Sequence, residues 1–171
     1  MKMANTRHDV AVRILYELCK PLSYYSEVHA DHIQDEEYKN IDLLAPHKRG
    51  VSEAVSSYTP DVWCRTRSTN RIDVYEVWDG QSDSDSVEDI LFAALTPGIY
   101  TLSIVCFEKE TKDFATKLAK IILNSIHNAK GEPLLDAGSV LPYIVYLQPS
   151  DWKDEVIMRQ ELKRALNLDR S

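Results

Sequence analysis

Two β-prone runs, separated by a short polar turn, occur in the stretch PDVWCRTRSTNRIDVYEVW (Pro60–Trp78). Each run is rich in Val, Ile, Tyr and Trp, which favour strands, whereas the residues between the runs are Arg67-Ser68-Thr69-Asn70. Two such runs around a polar turn are typical of a β-hairpin. Asp79-Gly80 ends the second run. The stretch therefore predicts an antiparallel pair of strands in the middle of the chain.

The register of this hairpin decides whether two acids meet. If Ser68-Thr69 is the tip, Asp61 lies directly opposite Glu76, with Cβ atoms roughly 4.5–5.5 Å apart. Carboxylates at that separation repel each other unless a proton or a cation lies between them. A hard divalent ion with oxygen ligands, Mg²⁺ or Mn²⁺, suits such a pair. A tip displaced by one residue would place the two acids on opposite faces of the sheet.

The residues that follow the hairpin predict alternating helices and strands. A helix begins near Asp83 to Asp85 and ends before Thr96-Pro97-Gly98. The almost continuously apolar run Ile99–Phe107 predicts an interior strand parallel to the second hairpin strand. Four further segments complete the prediction: a helix over 108–129, a loop over 131–138, a buried strand over 143–147 and a last helix over 151–166. Candidate contacts of the last helix include Val156 and Leu162.

The residues before the hairpin are less regular. Asn5 or Thr6 caps a first helix that runs to about Cys19, with apolar residues on one face and Lys20-Pro21 at its end. Leu22–Ala30 reads as a strand. The remainder, up to residue 59, combines short apolar pieces with Pro46 and Gly50 and gives no clear prediction.

These elements predict one α/β domain over residues 1–171, built on a mixed sheet of about five strands flanked by helices. The net charge of -7 argues against a protein that coats nucleic acid non-specifically. Cys19, Cys64 and Cys106 lie in apolar stretches and predict buried thiols in a reducing compartment. No apolar run has the length of a signal peptide or of a membrane span, so we expect a cytoplasmic protein with no membrane partner.

The order of a first helix, a strand opened by Pro60-Asp61, a strand carrying Glu76-Val77-Trp78, a helix and a strand resembles the PD-(D/E)XK nuclease superfamily. The resemblance covers about residues 5–147 and leaves the helix over 151–166 outside it. It implies a restriction-endonuclease-like fold that acts on phosphodiester bonds, with DNA as its partner. A homodimer is compatible with it.

The resemblance also implies which residues form the site. Asp61 and Glu76 would hold Mg²⁺ or Mn²⁺, and a water on that metal would attack the phosphodiester. A carboxylate on the first helix often joins such sites, and Glu17 is the matching residue, because it continues the face of Val10 and Ile14.

The sequence departs from the family at one position. The lysine expected two residues after Glu76 is replaced by Trp78, which supplies no positive charge to phosphate. Three explanations are open. The positive charge comes from Arg65, Lys117 or Lys120. Alternatively, Gln81 takes part of the role of the lysine. In the third explanation, the domain has lost catalysis and kept the fold.

Each candidate residue also has a structural interpretation. Asp61 and Glu76 would face solvent if the sheet has a solvent-exposed face at these positions. Glu17 would be a helix-surface acid that pairs with Lys20 or Arg13. His29, Asp31 and His32 have spacing suited to Zn²⁺, but no downstream ligand set matches them. The acids from Asp83 to Asp89 suit capping and solvation at a helix start. The function that competes with a metal-dependent nuclease is a non-catalytic module that binds protein or nucleic acid.

Overall fold

The computed structural model describes residues 6–31, 33, 41–42, 57–80, 83–95, 98–125 and 142–169. The helices in these ranges are α1 (Arg7–Cys19), α2 (Asp83–Leu95), α3 (Lys109–Ser125) and α4 (Glu155–Ala165). The strands are β1 (Tyr25–Ala30), β2 (Ile41–Asp42), β3 (Ser57–Tyr58), β4 (Val62–Thr66), β5 (Ile72–Trp78), β6 (Ile99–Cys106) and β7 (Pro142–Tyr146).

Five of these strands form one mixed sheet in the order β1-β4-β5-β6-β7. β4 is antiparallel to both of its neighbours, whereas β5, β6 and β7 are parallel to one another. β2 and β3 pair with each other in a separate antiparallel ladder. The prediction of a mixed five-stranded sheet flanked by helices is thus confirmed, and so is the interior, parallel placement of β6.

The hairpin turn between β4 and β5 differs in length from the prediction but has the same centre. Arg65 pairs with Ile72, and the backbone N–H of Thr66 donates to the carbonyl of Arg71 at 2.7 Å, so four residues form the loop. Asn70 adopts a left-handed φ of 57°, a conformation that asparagine tolerates better than most residues. Because the loop remains symmetric about the 68–69 peptide, the predicted register is kept.

Two hydrophobic cores lie on the two faces of the sheet, because side chains alternate along each strand. Tyr75 and Val77 of β5 pack in the core that α1 and α4 cover. Val74 and Trp78 pack in the second core, with residues of α2 and α3. A residue of β5 therefore belongs to one core or the other according to its parity.

The C-terminal elements depart from the sequence prediction in two places. β7, expected to be buried, is the terminal strand of the described sheet, and its Tyr143 is 56% exposed. α4 begins at Glu155 because the side chain of Asp154 accepts a hydrogen bond from the N–H of Ile157 at 2.9 Å, which caps the helix. Leu162 is buried as predicted, but Val156 is 66% exposed.

Two expectations from composition can be compared with the structure. Cys19, Cys64 and Cys106 are buried free thiols, as predicted. Among the described helices, none is long and apolar enough to cross a membrane.

Candidate functional site

Asp61 and Glu76 are neighbours across the β4–β5 hairpin. The paired residues Val62↔Tyr75 and Trp63↔Val74 fix the register. Continuing this register by one residue places Asp61 beside Glu76. The backbone N–H of Val77 donates to Asp61 Oδ2 at 2.8 Å, which confirms that Asp61 lies against this end of β5.

Asp61 also ties three strands together where β4 begins. Its carboxylate accepts a hydrogen bond from the backbone N–H of Val77 in β5. Its backbone carbonyl accepts a hydrogen bond of 2.8 Å from the N–H of Asp31, just after β1. The Asp61 side chain is 14% exposed, so solvent still reaches it. Asp61 thus has a structural role in ending the ladder, and it keeps carboxylate lone pairs for a further ligand.

Glu76 is more deeply placed than Asp61. It is 4% exposed, and its parity places it on the face that carries Val74 and Trp78. Burial of a carboxylate costs several kcal/mol unless hydrogen bonds or a cation compensate it. The expectation that Glu76 faces solvent is therefore wrong, and the pair consists of one buried and one accessible acid.

Trp78 lies on the same face as Glu76, as predicted, and it is fully buried in the core beside α2 and α3. Its indole Nε1–H donates to Asp89 Oδ2 at 3.0 Å. Asp89, expected to be a capping or solvated acid of α2, instead anchors this ring. The position where the resemblance expects a lysine is thus occupied by an indole held at both its apolar ring and its N–H.

His8, in the first turn of α1, provides a cation next to Asp61. Its Nε2 lies 3.4 Å from Asp61 Oδ1, and its Nδ1 lies 3.0 Å from Asp9 Oδ1. The bond to Asp61, reinforced by the charge of that carboxylate and by Asp9, raises the pKa of His8 to about 9, although burial acts in the opposite direction. His8 is therefore an imidazolium at neutral pH. Sequence reasoning missed it, because local patterns carry no signal for a pair 53 residues apart.

Arg7 fixes the start of α1 beside the same end of β5. Its guanidinium binds Asp79 through two bonds, from Nε to Oδ2 at 2.9 Å and from Nη2 to Oδ1 at 2.7 Å. The guanidinium also lies over the rings of Phe107 and Trp152, at 4.9 and 5.0 Å from their centroids. A bidentate, stacked arginine of this kind holds its element in one orientation. This contact positions His8 against Asp61.

Glu17 is not brought to Asp61 and Glu76. It lies nine residues after His8, about 13 Å further along the helix axis. Its carboxylate binds Arg13 at 3.4 Å and Arg159 of α4, and the guanidinium of Arg159 holds the pKa of Glu17 below its ordinary value. The structure thus gives Glu17 the helix-surface role, with the predicted partner Arg13 and a second partner from α4.

Among the proposed replacements for the lysine, Arg65 has a partner on β1. Arg65 Nε donates to Glu27 Oε2 at 3.1 Å, so this guanidinium is already paired. Lys117 and Lys120 are exposed on α3. Gln81 lies outside the described residues.

The residues around His29 form a small polar cluster on β1 and β4. His29 Nε2 lies 2.8 Å from Glu27 Oε1, and the His29 ring stacks on Trp63 with centroids 4.6 Å apart. His32 lies outside the described residues. Within the ranges that the structure describes, no three His, Cys, Asp or Glu side chains are grouped closely enough to form a metal centre of their own.

The His8–Asp61 contact predicts a pH-dependent stability. Because the folded state raises the pKa of His8 from 6.5 to about 9, its contribution is complete below about pH 6.5 and is lost as the pH rises towards 9. A hydrogen bond between charged groups, weakened by partial exposure, is worth about 1–2 kcal/mol. In urea titrations we expect the free energy of unfolding of the wild type, relative to His8→Gln, to fall by that amount between about pH 6 and pH 10. A constant difference between the two proteins would contradict the contact.

Comparison with protein-family models, with curated proteins and with solved structures finds no match.

Proposed function

We propose that this chain is a restriction-endonuclease-like domain that binds Mg²⁺ or Mn²⁺ at Asp61 and Glu76 and slowly hydrolyses phosphodiester bonds of DNA. The hairpin register supports the proposal, because its continuation pairs residue 61 with residue 76 and the Asp61 carboxylate reaches the N–H of Val77. The element order supports it as well. After α1 and the strands β1 to β3, the hairpin strands β4 and β5 are followed by α2 and by β6, which is parallel to β5.

The donor set suits a hard divalent ion. Mg²⁺ is commonly bound through one or two carboxylates and keeps several of its waters. One buried and one solvent-accessible carboxylate meet that need without a third protein ligand. When bound, such an ion makes a water more acidic and neutralises negative charge on phosphate.

The chain's own residues set the expected rate. Asp61 is aligned by Val77 N–H, and the His8 imidazolium adds a positive charge on its other oxygen. His8 can attract a phosphate, but it also competes with a metal for Asp61. Trp78 supplies no cation, and the absence of one transition-state donor typically costs about 10²–10³ in rate. Slow cleavage follows from these features.

A second function, a non-catalytic module on the same fold, is favoured by the state of Trp78. The indole is buried and bonded to Asp89, so the place of the lysine is filled by a structural residue. Such a domain would keep its fold and a nucleic-acid- or protein-binding surface without hydrolysis.

Calorimetry with Mn²⁺ tests the metal site. We expect wild type to bind one ion and both Asp61→Asn and Glu76→Gln to bind it at least about tenfold more weakly, because loss of even an outer partner of a metal ligand typically costs 10–100-fold. Asp113→Asn, which removes an exposed carboxylate from α3, is the charge-matched control. Thermal unfolding checks that every variant is folded. Equal Mn²⁺ affinity in wild type and Asp61→Asn would remove the basis of the proposal.

Cleavage assays separate the two functions. Wild type is incubated with supercoiled plasmid and with single-stranded DNA in Mg²⁺ and in Mn²⁺, and Asp61→Asn, purified identically, measures contaminating nuclease. Slow cleavage above that background supports the nuclease. Metal binding without cleavage would contradict the hydrolytic step and favour the non-catalytic module.

A further inference from the structure

A cleft of about 400 Å³ opens on the opposite face of the sheet from Glu76. It lies where β5, β6 and β7 begin and where α4 ends. Asp73 lines it from β5, Thr101 and Ser103 from β6, and Tyr143 from β7. The volume falls within the range of about 300–1,000 Å³ that is typical of small-molecule sites.

A buried carboxylate forms part of the wall of this cleft. Asp73 is 4% exposed, and its two oxygens accept hydrogen bonds from Tyr25 Oη and Thr101 Oγ1, both at 2.7 Å. The hydroxyl of Tyr75 lies 2.8 Å from that of Tyr25. Burial raises the pKa of both tyrosines, so their hydroxyls stay protonated. The carboxyl group is thus held in place by two hydroxyl donors, neither of which carries a positive charge.

Asp73 and the end of α4 are the two electrostatic features of this cleft. Among the described residues that line the cleft, Asp73 is the only one with a carboxyl, amino or guanidino side chain. The C-terminal end of α4, at Ala165, Leu166 and Asn167, contributes the negative end of a helix dipole, and the same last turn carries the basic residues Lys163 and Arg164.

Aromatic rings stand at the rim. Tyr100 and Tyr143 line the cleft and are about half exposed. The guanidinium of Arg71 lies 4.1 Å from the centroid of the Tyr100 ring, so this ring already accepts a cation. Faces of tyrosine rings attract ammonium and guanidinium groups.

We infer that this cleft binds a small organic cation, an alkylammonium or alkylguanidinium, with Asp73 as its counter-ion and the tyrosine rings as its walls. A buried carboxylate beside a cleft suits a cation that is bound in part through its hydrogen-bond donors, because Asp73 retains free lone pairs. The adjacent side chain of Leu166 suits a short alkyl chain. This inference does not depend on the metal site.

The charge of the ligand provides the first test. Labelled protein is titrated with n-butylammonium, n-butylguanidinium, 1-pentanol and butyrate, and binding is followed by NMR chemical shifts of residues around the cleft. We expect both cations to saturate the cleft and butyrate not to bind. The alcohol should bind at least about tenfold more weakly than the cations, because a charge-assisted hydrogen bond contributes at least that factor. Equal affinities of n-butylammonium and 1-pentanol would overturn the inference.

Variants provide the second test. Asp73→Asn keeps the shape of the side chain and should abolish the preference for cations over the alcohol. Tyr143→Ala, at an exposed rim position, should weaken both cations by about 2–5-fold, whereas Tyr143→Phe keeps the ring and should bind as wild type does. If Asp73→Asn does not fold, the comparison of Tyr143→Ala with Tyr143→Phe and the ligand series on wild type still test the inference. The inference would be overturned if Tyr143→Ala binds both cations as tightly as wild type does and if Asp73→Asn either keeps the preference for cations over the alcohol or cannot be measured.

Discussion

Trp78→Ala is expected to lower the free energy of unfolding by about 3–5 kcal/mol, the usual cost of removing a fully buried tryptophan ring. The indole packs in the core with Ile90 and Leu102, and its N–H bond to Asp89 would be lost as well. Urea unfolding at neutral pH measures the change. A loss below about 1 kcal/mol would contradict the placement of Trp78 in this core.

Two companion variants separate the contributions at this position. Trp78→Phe keeps an aromatic ring but loses the bond to Asp89, so its destabilisation should be clearly smaller than that of Trp78→Ala. Tyr143→Ala, at an exposed aromatic residue, is the control and should change stability by no more than about 0.5 kcal/mol.

The burial of Trp78 also governs how the nuclease resemblance can be tested. Trp78→Lys restores the lysine of the family, but it places an ammonium group in an apolar core, where desolvation is costly unless a partner is present. We expect this variant to be severely destabilised. Absence of cleavage by this variant would be informative only if the protein is folded. Cleavage by a folded variant would show that the missing cation is the only defect of the site.

Leu162→Ala is expected to destabilise the protein by about 2–5 kcal/mol. Leu162 is fully buried in the core between the sheet, α1 and α4, together with Leu15 and Met158. α4 lies outside residues 5–147, which the resemblance covers, so the prediction tests whether this helix belongs to the folding unit. One cooperative transition at lower urea concentration is the expected result.

The matched control lies on the same helix. Val156→Ala removes an apolar side chain that is 66% exposed and should change stability by no more than about 0.5 kcal/mol. Similar effects of Leu162→Ala and Val156→Ala would mean that α4 does not pack through Leu162.

Glu76 and the Asp73 cleft lie on opposite faces of β5. Asp73 and Glu76 are three residues apart on β5, so their side chains point to different cores. A ligand of one site therefore need not touch the other. Substitutions at Asp61 and at Asp73 can be used as controls for each other.

Local patterns in the sequence determined much of the fold. Thr6 caps α1 as predicted, with its side chain accepting from Asp9 N–H, because a capping side chain acts within one helical turn. Alternation in the two hairpin runs, together with a polar turn centred on residues 68 and 69, predicted the register that places Asp61 beside Glu76. These features depend on residues that are close in sequence or related by a single turn.

Only the tertiary structure decided what surrounds the predicted site. In the folded chain His8 pairs with Asp61, Glu17 pairs with Arg159, and the buried Trp78 donates a hydrogen bond to Asp89. It also assembled the cleft around Asp73 from three strands and the end of α4. The physical reason is that helical and strand periodicity report which face a side chain occupies, whereas its partner depends on how distant elements pack. The sequence thus determined the hairpin register, and packing determined the charge beside Asp61.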